Sequence, residues 1–219
     1  MDQPLPIREA ATVMILRDGD SGLETWMMHR QSTMAFAAGM WVFPGGSVDP
    51  ADALEGPAVE ATAAGFGITP GHAGRIVAAA IREIKEEADL DLDPCDLRPW
   101  ARLLTPVHQP LRYDTYFFVA RLPAGASAAH VSSEGVEADW IGIENAVAQW
   151  RDGLRPIMPP TIRSLLEVSR HTTVAEVLDA AIARELGQIV PTLSQEPNGA
   201  LMVDFGDGNP IALPKLRQA

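Results

Sequence analysis

Arg82-Glu83-Ile84-Lys85-Glu86-Glu87-Ala88-Asp89-Leu90 is the stretch on which the reading of this chain turns. It closes a longer segment, residues 73 to 90, in which Ile76, Val77, Ala80, Ile81, Ile84 and Ala88 recur at the 3.6-residue period of a one-sided helix. Glu83, Glu86 and Glu87 stand at i, i+3 and i+4, so a helix gathers their carboxylates on one face. Local physics opposes that arrangement. Like charges one turn apart cost roughly 0.2–0.5 kcal/mol. Asp89, Asp91 and Asp93 then crowd the helix C-terminus, where the dipole disfavours anions. A solvated acidic face with Arg82 paired to Glu86 is one account. A hard divalent cation that accepts carboxylate oxygens is the other.

Upstream, Trp41-Val42-Phe43 reads as a short strand stopped by Pro44-Gly45-Gly46. Two glycines there let main chain approach a partner closely; an ordinary tight turn is the plainer reading. Further strands are expected at 10–16, 24–31, 97–104, 115–122 and 140–143, the first two joined by a hairpin-like turn at 17–22. Residues 47–72 read as irregular, with a short helix near 57–64. Helices are expected at 144–150, 161–170 and 174–186, the last opened by a capping box of Thr173 and Glu176. Residues 193–219 alternate weakly, as a hairpin or a loose tail would. Strands on both sides of a central helix predict an α/β sandwich with a mixed sheet. The proline-rich stretch 156–160 divides a core, residues 8–155, from a helical C-terminal extension and tail, residues 156–219.

The 219 residues suit one elaborated globular domain, and 47% hydrophobic against 21% charged residues is enough to build a core. A net charge of −12 without a Lys/Arg run speaks against nucleic acid as partner, but a divalent cation can still bring phosphates to an acidic protein. The single cysteine, Cys95, allows no intramolecular disulfide. No basic segment followed by an apolar run opens the chain, and no run reaches the ~18 apolar residues of a membrane span. A cytoplasmic location is the expectation.

The two features together resemble the Nudix box, G-x5-E-x7-R-E-U-x-E-E-x-G-U, where U is aliphatic. Residues 82–90 match its second half except at Asp89, where the family has Gly. Gly46, five residues and Asp52 match the first half, with Asp for Glu. Asp52 and Arg82 lie 30 positions apart where the box expects 8, so 22 extra residues separate the halves. Asp is among the few non-Gly residues that tolerate the left-handed, helix-ending position Asp89 would take. An insertion in a loop adds little free energy. A branch that includes the organellar coenzyme A diphosphatases accepts such an insertion. The stretches His29-Arg30-Gln31, Val48-Asp49-Pro50-Ala51-Asp52 and Arg112-Tyr113-Asp114-Thr115-Tyr116-Phe117-Phe118 are similar to that branch. A stricter coenzyme A signature wants Arg four residues before a conserved Gly; relative to Gly39 that position is Ala35.

The resemblance implies an α/β/α sandwich and a Mg²⁺-dependent (or Mn²⁺-dependent) diphosphatase. Glu83 and Glu87 would ligate the ion, with a main-chain carbonyl of Gly45 or Gly46. Glu86 would ligate a further ion or act as general base, and Glu134 is a second candidate base. Arg82 would brace the glutamates and Asp52 would orient the loop. Arg30 and Arg112 are candidates for the diphosphate, because a guanidinium suits bidentate phosphate contact. The implied substrate is a small nucleoside-diphosphate derivative, coenzyme A or acyl-coenzyme A first, then nucleotide sugars, ADP-ribose or dinucleotides. A non-catalytic nucleotide-sensing module is the other reading. The Ala- and Leu-rich C-terminal helices suggest a homodimer.

Overall fold

The run Ala10 to Leu16 has little polar alternation, as a strand covered on both faces requires. It is the middle of β1 (Ile7–Gly19), and its side chains part in two directions. Ala11, Val13 and Ile15 enter one core, whereas Met14 and Leu16 enter the other. The computed structural model describes residues 6–20, 22–34, 36–107, 109, 111–129 and 135–216. β1 pairs antiparallel with β2 (Gly22–Arg30) and parallel with β6 (Arg112–Arg121). β6 pairs antiparallel with β5 (Arg98–Leu104), and β5 parallel with β8 (Gln188–Ile189). With β3 (Trp41–Val42) the order is β3-β2-β1-β6-β5-β8. β4 (Gly45–Ser47) adds to β1, and β7 (Gly135–Gly142) to β2. The sheet is mixed.

Helices cover both faces. On one side α1 (Pro57–Phe66) and α2 (Pro70–Ala88) bury Val59, Phe66, Ile76, Ala80 and Ile84 against Tyr116 and Phe118. On the other, α3 (Ile143–Arg151), α4 (Pro159–Val168) and α5 (Val174–Ile182) bury Val147, Ile162, Leu165 and Val177 against Met27, Phe117 and Val119. This is the expected α/β/α sandwich, with five α-helices among the described residues. No helix among the described residues is long and apolar enough to cross a membrane.

α2 begins at Pro70, three residues before the expected start at residue 73. The Thr69 side chain accepts from the His72 N–H, and Pro70 suits the first helical position. α2 ends on Asp89 in the left-handed conformation, φ 51° and ψ 34°, as the resemblance implied. The segment between the box halves is more ordered than a loop. Ten of its residues form α1, and Phe66 stands edge-on to both Tyr116 and Phe118. Gly74 lies so close under the Leu54 carbonyl that any side chain there would overlap it.

Three local expectations are corrected. α5 stops at Ile182 rather than 186, and the chain after it returns to the sheet as β8. Thr173 caps α5 by accepting from the Glu176 N–H, but the Glu176 carboxylate accepts from the Thr172 N–H, one residue upstream of the box position. Instead of a hairpin or tail, the C-terminal segment holds a three-stranded antiparallel sheet of β9 (Thr192–Gln195), β10 (Leu201–Asp204) and β11 (Ile211–Ala212). Val203 and Phe205 are buried in the core cluster on this side of the sheet, with Arg163 of α4 over the Phe205 ring.

Candidate active site

The last two turns of α2 pass alongside β4, and glycine makes the approach possible. A Cβ at Gly46 would overlap the Glu83 carboxylate; one at Gly45 would overlap the Ala11 carbonyl and Thr12. Gly45 also has φ 152°, which a side chain would strain. The Thr12 hydroxyl donates to the Pro44 carbonyl at 2.7 Å and anchors the turn to β1. The Gly45 N–H donates to Glu87 Oε2 at 2.7 Å, and Glu87 is only 3% exposed. A buried carboxylate thus meets a fixed main-chain donor.

The ladder between β1 and β4 distinguishes the two glycines. Val13 donates to the Pro44 carbonyl and Val48 to the Glu9 carbonyl, so the pair between them, Ala11 and Gly46, is hydrogen-bonded. The Gly46 carbonyl is therefore committed to β1. Gly45 faces Thr12 as a non-hydrogen-bonded pair, so its N–H and carbonyl turn away from β1, and the N–H meets Glu87. Of the two carbonyls, that of Gly45 is the one placed to face an ion.

Arg82 ties the halves of the box together. Its Nε and Nη2 donate to the two Asp52 oxygens at 3.1 and 2.9 Å, across 30 positions of sequence. Nη2 also donates to the Ser47 carbonyl at 2.9 Å. Nη1 reaches Glu83 at 2.7 Å and Glu86 at 3.3 Å. The like charges of α2 are offset by this one guanidinium. The Arg82 bond holds the Asp52 carboxyl below its ordinary range, helped by the Asp49 N–H and opposed by burial. The same bond to Asp52 raises Arg82 further above its already high value. Asp for Glu at position 52 therefore keeps a two-bond contact with the helix.

Glu83, Glu86 and Glu87 come together as the spacing requires, but in unequal surroundings. The Glu87 residue is buried, the Glu83 side chain is 13% exposed beside Gly46, and the Glu86 side chain is 57% exposed. Among the described residues no three His, Cys, Asp or Glu side chains stand close enough to enclose an ion by themselves. The donor set nevertheless fits a hard cation: two shielded carboxylates on one helix edge, a close-approach cradle at Gly46 and an outward Gly45 carbonyl. Arg30 ends β2 where its register with β7 shifts, and Arg112 opens β6 with its Nε on the Thr105 carbonyl. Glu134 lies outside the described residues; its neighbour Gly135 pairs with Arg30.

The model of the NUDIX domain family matches residues 6–165. The chain belongs to the Nudix family. Within that family it is similar in fold to a NUDIX hydrolase from Alicyclobacillus acidocaldarius, with 24% identity and a TM-score of 0.65 over 80% of this chain and 96% of that one. It is also similar to the NUDIX domain of NrtR from Shewanella oneidensis, a cocrystal with ADP ribose, at 10% identity and a TM-score of 0.54 over 75% and 88%. A third likeness is to an Ap4A hydrolase from C. elegans, at 20% identity and a TM-score of 0.50 over 75% and 96%. No curated protein matches the chain.

Two contributors escaped the sequence reading. The resemblance implies a role for the Gly45 or Gly46 carbonyl, yet it is the Gly45 N–H that seats Glu87. Ser47, whose carbonyl helps hold Arg82, carried no signal, because any residue supplies that oxygen.

Proposed function

We propose that this Nudix hydrolase cleaves a phosphoanhydride bond in a nucleoside-diphosphate-linked small molecule, with Mg²⁺ as cofactor and coenzyme A or acyl-coenzyme A as favoured substrate. The observation that carries this reading is the seating of Glu83 and Glu87 against the Gly45-Gly46 turn, with Arg82 and Asp52 fixing the helix to it. ADP-ribose or a dinucleotide is the alternative. It draws on the ADP ribose complex and the Ap4A hydrolase among the fold neighbours.

Glu83, Glu87 and the Gly45 carbonyl would hold the ion. When bound, Mg²⁺ neutralises phosphate oxygens and makes water more acidic. Glu86 is the exposed member of the cluster and acts as general base. Its carboxylate takes the proton as the water oxygen bonds to one phosphorus. The bridging P–O bond breaks, and its electron pair leaves with the second phosphate, so two phosphate monoesters form. Arg82 acts on Glu83 and Glu86 and keeps their oxygens in register; it does not touch the substrate.

A panel of diphosphate substrates, incubated with Mg²⁺ and then with chelator, tests the proposal. Metal-dependent monoester release is expected, and no release from any member overturns it. Glu87→Gln sharpens the test. The amide oxygen can still accept from the Gly45 N–H, so the melting curve is retained. Loss of the anionic ligand lowers kcat by at least ~10²-fold. Unreduced turnover in that variant would refute the ligand assignment.

A further inference from the structure

Where β1 enters the sheet, Arg8, Glu9, Ser47, Arg75 and Asp114 line a cavity of about 490 Å³. It shares a wall with the box: Ser47 lines it, and the Ser47 carbonyl is bonded to Arg82. Arg75 precedes Arg82 on α2 by seven residues, two helical turns, and so projects from the same face about 10 Å further along the axis. That separation is of the order of a diphosphate with an attached pentose.

The acids of this cavity are already spent. Asp114 receives three bonds from Arg102, two of them shared by its Nε, and one from Gln188. Glu9 is held by the His72 ring on one oxygen and by Arg75 on the other, the latter at a loose 3.4 Å. Arg8 is exposed on the rim and makes no ion pair among the described residues. With Asp114 neutralised by Arg102, the two guanidiniums of the lining, Arg8 and Arg75, face one remaining carboxylate, Glu9, in a chain whose net charge is −12. A local cation excess on an acidic protein attracts an anion. Because His72 continues to hold Glu9, Arg75 can turn into the cavity without orphaning it.

We infer that this cavity binds a phosphate monoester carried by the substrate beyond its scissile diphosphate, with Arg8 and Arg75 as the recognising residues. Two guanidiniums from separate elements suit a dianion that accepts paired bonds. The placement rests on the diphosphatase reading, since it requires the substrate to lie along α2 with its diphosphate at Glu83 and Glu87. It makes the 3′-phosphate of an adenosine moiety, rather than the group across the diphosphate, the source of selectivity.

The test is calorimetric titration of the full chain with adenosine 3′,5′-bisphosphate and with adenosine 5′-monophosphate. Roughly tenfold tighter binding of the bisphosphate is expected, the scale of a single good charge-assisted contact. In Arg8→Ala/Arg75→Ala that ratio falls to near one. The ratio is internal to each protein, so partial loss of folding does not imitate it. A ratio near one in the unaltered protein, or a tenfold ratio that survives both substitutions, overturns the proposal. Diphosphate turnover without the ratio leaves the hydrolase reading standing and removes the subsite. The ratio without turnover does the reverse.

Discussion

A methyl group at Gly46 and one at Gly45 would fail for different reasons. At Gly46 it meets the end of the Glu83 side chain, which can swing aside. At Gly45 it meets the main chain of β1, in a backbone conformation that already excludes side chains. Gly45→Ala is therefore expected to destabilise the fold by about 1–3 kcal/mol from backbone strain alone. Gly46→Ala should melt close to the parent while turnover falls steeply, because Glu83 loses its seat. Thermal melts and kcat measured on both variants separate the cases. Equal losses of stability would show that Glu83 cannot move. The same scale explains Asp89. Its left-handed φ of 51° carries a cost that Gly would avoid, and the Lys85 ammonium at 2.8 Å offsets part of it.

At the scale of elements, Asp52 ties the segment after the glycine turn to α2, alongside the Gly45–Glu87 and Ser47–Arg82 bonds. Asp52 is 8% exposed, and its two bonds to Arg82 close a segment that contains all of α1. Its folded pKa is lowered from an ordinary value of 3.8. A depressed carboxyl contributes stability that is fully present above the unfolded value and is lost as pH falls through the folded one. The stability gap between the parent and Asp52→Asn should thus stay constant from neutral pH down to about pH 5, then narrow at pH values below 3.8. Urea unfolding across that range measures it. A gap that does not change on acidification would show that the carboxylate charge is not what joins the two halves. The insertion was legible as extra length, and its helix as a short segment near 57–64. That α1 joins the core was not legible. Phe66 finds Tyr116 and Phe118 only once β6 is in place, some fifty residues later in the chain.

Over the whole molecule, legibility tracks how local the cause is. The face of α2 and the grouping of three glutamates come from spacing within one helix, and the sequence displays them; the left-handed Asp89 follows from the family's Gly at that position. The ladder position that separates Gly45 from Gly46 depends on register with β1, which a three-residue strand cannot announce. The C-terminal sheet was obscure for a related reason. β9 is exposed throughout, so it lacks the buried face that produces clear alternation. Yet the chain beyond α4 is not detachable. Val174 and Val177 are fully buried, Phe205 is 4% exposed, and Arg184 lies 4.0 Å over the fully buried Trp100 ring. Each large apolar side chain so buried contributes roughly 1.5–3 kcal/mol, against a total stability of about 5–15 kcal/mol for a typical domain. Ending the chain after Arg170, just past the region that matches the family model, removes these side chains and uncovers Trp100. That truncated chain is expected to lose its sigmoidal thermal transition and to bind an apolar dye, although all three glutamates remain. A cooperative melt near that of the full chain, with turnover intact, would show that the α2 face of the sheet stands without the core on the opposite side.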